Sequence, residues 1–131
     1  AMFEAKKIDL DKVDTDNNYY PYRYEIKSGK SEDKAGVPFH LQGESPSNYP
    51  SSFKKTDDGA GNTVRYVIER MCLDEGPATA ANCDMSPPKK SEATTAMELE
   101  KPDLVRVPFY RVTVRVDGPN NTTTYAQAML R

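Results

Sequence analysis

Histidine occurs once in these 131 residues, cysteine twice, and nowhere do 18 apolar positions run together. Each scarcity excludes something. A single histidine, with no H-E-x-x-H, no G-x-S-x-G and no phosphate-cradling glycine loop, leaves no recognisable nucleophile–base pair or metal-ligand set. The chain is therefore not expected to be an enzyme, and no cofactor is expected. Without a long apolar run, these residues hold no transmembrane helix. No secretion leader precedes Ala1-Met2, which is read as a chain trimmed at its N-terminus. The net charge of −2 gives little basis for non-specific binding to nucleic acid or membranes.

What is present is unevenly spread. The length fits one domain spanning 1–131. Hydrophobic residues make up only 37%, and ten prolines with seven glycines imply long irregular segments between the places where a core can form. The most ordered signal lies in the last third. Residues 104–131 read as two long antiparallel strands, with Tyr110, Val112, Val114 and Val116 on one face and Arg111, Thr113, Arg115 and Asp117 on the other. Gly118-Pro119-Asn120-Asn121 supplies the turn, since Gly and Asn tolerate positive φ and Pro presets one dihedral. The last strand puts Thr124, Ala126, Ala128 and Leu130 on one face, and paired alanines there suit the close approach of another element. The core is expected to be concentrated in this C-terminal region.

Upstream the pattern weakens. Residues 1–13 carry good helix formers without an amphipathic stripe, enough for a helical turn or two. Residues 19–27 alternate loosely through Tyr20, Tyr22, Tyr24 and Ile26, and Pro21 makes this an edge strand. Residues 28–62 form a long loop, pinned by Phe39, Leu41, Tyr49 and Phe53. Residues 63–73 are a central strand, with Val64, Tyr66 and Ile68 on one face and Val67, Met71 and Leu73 on the other. Residues 84–103 are polar, with one helical turn near Ala96–Glu100.

The charged residues fit structural roles more simply than chemical ones. Six of the seven arginines lie in or beside the three C-terminal strands. Arg65, Arg111 and Arg115 share a face whose charge could attract an acidic partner. Glu69 and Asp117 have the same parity, so cross-strand ion pairing is the simpler reading, and nucleic-acid binding is not expected. Asp14, Asp16 and Asn18 have the 1-3-5 spacing of a calcium loop, with Glu25 at the twelfth position. Tyr19 stands where the loop needs Gly, so a polar turn is preferred to a calcium site. His40, between apolar neighbours, is expected to pack, and Asp57-Asp58 to sit in a solvated turn. Cys72 and Cys83 admit a disulfide, two buried thiols or half a zinc site. A polar chain with a small core favours the disulfide, which restricts the unfolded chain by about 3 kcal/mol and implies an oxidising compartment.

Together, GNTVRYVIERMC (61–72), the segment on to Cys83, and FYRVTVRVDGPNNTTTYAQAML (109–130) resemble the C-terminal region of PilX-type minor pilins of type IV pili. The resemblance covers 61–83 and 107–131. It implies an α+β fold in which a long N-terminal helix, largely missing from this chain, leans on an antiparallel sheet of about four strands with long irregular loops. It also implies a leader cleaved by a dedicated peptidase, and low-copy entry into the pilus to prime assembly or modulate adhesion and aggregation. The implied partners are other pilins, the assembly machinery and, through the missing helix, the inner membrane. The implied location is the periplasmic side of that membrane, then the pilus. Cys72 and Cys83 match the paired cysteines common near pilin C-termini. Two rivals stand beside this: a surface binding module using exposed Tyr19, Tyr20, Tyr22 and Tyr49, and a secretion-system pseudopilin.

Overall fold

The computed structural model describes residues 9–86 and 106–131. Five strands form one mixed sheet: β1 (Tyr19–Tyr20), β2 (Lys55–Asp57), β3 (Thr63–Arg70), β4 (Tyr110–Asp117) and β5 (Thr123–Leu130). The hairpin of β4 and β5 forms where the alternation places it, in unbroken register from Asp117↔Thr123 to Tyr110↔Leu130. In its turn, Asn120 and Asn121 take the left-handed conformation, with φ of 62° and 59°. Gly118 does not, at φ −99°. It is needed for space instead, because a Cβ there would lie 2.5 Å from the Thr122 hydroxyl.

The sheet is not purely antiparallel, and the expected edge strand over 19–27 shrinks to two residues. β1 runs parallel to β3, pairing Tyr19 with Ile68 and Tyr20 with Glu69. Pro21 ends it, having no N–H to donate. The chain then turns into one short helix, α1 (Tyr24–Ser28), whose first N–H is accepted by Glu69.

The far edge of β3 is shared end to end by two strands. β2 covers Thr63–Arg65 and β1 covers Ile68–Glu69, which leaves a gap at Tyr66. Side chains fill it. The Asn18 amide donates to the carbonyls of Tyr66 (3.0 Å) and Lys54 (2.9 Å) and accepts the Lys54 N–H (2.8 Å). The Tyr49 hydroxyl accepts the Tyr66 N–H at 3.3 Å. Asn18 can sit there because its backbone is left-handed, at φ 54°.

The core lies mainly outside the hairpin, contrary to the expectation of a C-terminal core. Tyr20, Val37, Leu41, Phe53 and Val67 form it, with Tyr22, Tyr24 and Tyr49 packed around. Two of the four anticipated loop anchors, Leu41 and Phe53, are buried in it, and Tyr49 flanks it. Cys72 and Cys83 are joined by a disulfide and both buried, so the bridge forms. Residues 9–13 are not helical. The first eight residues and the helical turn near Ala96–Glu100 lie outside the described residues.

Candidate functional site: an apolar sheet face

The two faces of the sheet are treated very differently. One carries Arg111, Thr113 and Arg115 of β4 with Val67 and Glu69 of β3, and all five are buried. Segment 28–62 folds over this face. Val37, Leu41 and Phe53 of the segment pack against Tyr20 and Val67 there, and guanidinium groups tie down the rest. Arg115 donates to the carbonyls of Leu41 (2.8 Å), Gly43 and Glu44 (2.8 Å), and pairs with Asp117. Arg111 bridges Glu69 (2.8 Å) and Glu32 of the loop. Burial alone would lower the Arg111 pKa, but the two carboxylates more than reverse that and keep it charged. Arg65 pairs with Asp117 at 2.9 Å. The anticipated cross-strand ion pairs therefore form, beneath a cover of loop.

The opposite face is apolar. Val64, Tyr66 and Ile68 stand beside Val116, Val114 and Val112, then beside Thr124, Ala126 and Ala128. The β3 and β4 residues are half-buried and those of β5 exposed, and none of the described strands or helices packs across them. Only its end is finished. There Tyr19 lies against Tyr110, ring centroids 6.4 Å apart, and donates its hydroxyl to the Leu10 carbonyl at 2.6 Å. Arg70 pairs with Asp11 at 2.9 Å and donates to the carbonyls of Pro21 and Gly76. Leu10 and Asp11 are thus fixed beside the end of the apolar face.

No family model, curated protein or solved structure matches this chain. Its function must be argued from the geometry.

The residues singled out in the sequence are not brought together as a reactive site. Asn18 is the gap-filler described above. Asp14 holds the Asn17 amide at 2.7 Å, and Glu25 pairs with Arg23 at 3.1 Å. Among the described residues, no three of His, Cys, Asp and Glu cluster as metal ligands would. The tyrosines offered as an exposed aromatic patch are not one: Tyr19 and Tyr20 are buried, and Tyr22 and Tyr49 pack on the core. A groove of about 460 Å³ runs beside the hairpin turn; of its charged residues, Arg65 and Asp117 already pair with each other and Glu44 stands at its rim.

His40 packs as expected. It stacks between Tyr20 and Phe53, with centroids 5.2 and 5.5 Å away, and its Nε2 shares a 3.0 Å hydrogen bond with the Tyr20 hydroxyl. Burial lowers its pKa to about 4. In the unfolded chain an imidazole titrates near pH 6.5. The His40 contribution is therefore complete above about pH 6.5 and shrinks as pH falls towards 4, by roughly 3 kcal/mol over that window. Urea midpoints measured for the wild type and His40→Gln across this range should converge as pH falls. A constant gap would show that His40 charges without cost in the fold.

Proposed function

We propose that this chain is the extracytoplasmic head of a minor pilin, a structural subunit of low abundance that helps prime type IV pilus assembly and contributes to adhesion or aggregation, without enzymatic activity. The observation that supports the reading is the valine face that no described strand or helix covers. An apolar sheet surface left in water costs about 25 cal/mol for every Å² it fails to bury, so a partner is expected on it. Its shape suits one helix. Three strands about 4.8 Å apart span roughly the 10 Å diameter of a helix, and eight residues run about 26 Å, or five helical turns. Ala126 and Ala128 let a helix backbone come close. A helical segment preceding Leu10 would supply it.

On this reading the helix continues as an apolar membrane anchor. The head sits on the periplasmic side of the inner membrane before assembly and then in the pilus, beside other pilins. The disulfide suits that oxidising compartment. A secretion-system pseudopilin would use the same face in the same way.

The test is Ala126→Glu in the complete protein. Ala126 lies in the middle of the face and is exposed, so the isolated head should melt within about 0.5 kcal/mol of wild type. A buried, unpaired carboxylate beneath the helix should sharply reduce recovery of the subunit in sheared pili. Normal incorporation would remove the helix-docking reading.

A further inference from the structure

The two edges of the sheet are finished in opposite ways. The β1–β2 edge is blunted by several devices: strands of two and three residues, a proline directly after β1, charged Lys55 and Asp57 in β2, and side chains filling the gap at Tyr66. The β5 edge has none of them. It is eight residues long, unbulged, exposed along its whole length, and TTYAQAML contains neither a charge nor a proline.

The ladder shows which groups are left bare. The Gly118 N–H donates to the Thr122 carbonyl at 2.8 Å, so 118↔122 belongs to the hydrogen-bonded set of the hairpin. Antiparallel pairing alternates. Residues 124, 126, 128 and 130 therefore turn their main chain towards β4, while Thr123, Tyr125, Gln127 and Met129 turn theirs outward. Among the described residues, no main-chain group bonds to that outer row.

We propose that β5 pairs with β5 of a second copy, antiparallel, about a two-fold axis at Gln127. The strand is self-complementary in this register. Tyr125 falls opposite Met129, a favourable sulfur–aromatic pair, Thr124 opposite Leu130, and Ala126 opposite Ala128. No like charges meet, because the strand has none. Residues that are opposite share a sheet face, so the two valine faces become one surface continuous across the axis. The outer N–H and C=O groups of Tyr125, Gln127 and Met129 find partners, which is the chemistry of strand addition. This pairing does not depend on the pilin reading, since it needs only the edge.

Sedimentation of the head domain should show a concentration-dependent shift from 14.7 kDa to twice that mass. Met129→Ala, which keeps the backbone, should retain the shift. Met129→Pro removes one outward N–H without touching the β4 ladder, and should leave a folded monomer whose melting point matches that of the wild type at dilutions where the wild type is monomeric. Amide exchange provides a second readout that needs no variant. Raising the concentration should protect Tyr125, Gln127 and Met129 selectively, leaving the β4-bonded amides of Ala126 and Ala128 unchanged. A wild type that stays monomeric, or protection that rises equally at odd and even positions, would overturn the pairing, as would a dimer persisting in folded Met129→Pro.

Discussion

Replacing Arg115 with leucine is expected to lower the unfolding free energy by about 3–5 kcal/mol, the range seen when one member of a buried charged network is removed. The side chain is almost fully buried, and its guanidinium reaches three carbonyls of one loop stretch, at Leu41, Gly43 and Glu44, as well as Asp117 and the Tyr125 hydroxyl. Leucine would fill most of the volume while leaving those carbonyls without a donor beneath the loop. Unsatisfied groups of this kind cost about 1–3 kcal/mol each. Arg115→Lys should recover only part of the loss, because an ammonium is a point charge and cannot fork to several oxygens at once. Urea denaturation with the disulfide intact reads the effect directly. A leucine variant with the wild-type midpoint would mean that the loop is held by its apolar anchors alone.

Asn18→Ala should cost roughly 3 kcal/mol. Two effects add: the amide that fills the gap in the β3 edge is lost, and alanine must adopt a left-handed backbone that costs about 1–2 kcal/mol. Asn18→Gly separates them. Glycine accepts φ 54° freely, so it should recover about 1 kcal/mol and leave the hydrogen-bonding part. Equal losses for the two variants would mean that the backbone conformation carries no strain.

These two sites also mark where the amino-acid pattern stops being informative. The hairpin and β3 were legible because period-2 alternation sustained over eight residues suits a half-buried strand and little else, and the parity of Arg111, Arg115, Glu69 and Asp117 announced their pairing. The covering of that face was not legible. Arg115 reaches main-chain carbonyls more than 70 residues away in the chain, and no residue type at 41–44 advertises that its backbone is the acceptor. Asn18 was misleading for a related reason. Its spacing from Asp14 and Asp16 imitates a cation loop, whereas it serves the left-handed bend and a gap between two strands. The edge strand expected over 19–27 failed because the tyrosine alternation there comes from packing around His40, with Pro21 and α1 interrupting any ladder. The valine face was legible as apolar, and the paired alanines of the last strand already suited the close approach of another element. The bareness of the β5 edge depends on strand order, which alternation does not encode.

The way the loop is fastened leaves its surface free to change. Arg115 grips oxygens that every amino acid possesses, so the side chains of Glu44 and Ser45 have no part in that grip, whereas Gln42 ties the loop through its amide and Gly43 through its φ of 97°. Substitutions at Glu44 and Ser45 could therefore change the outer surface of the loop while the scaffold beneath kept its shape.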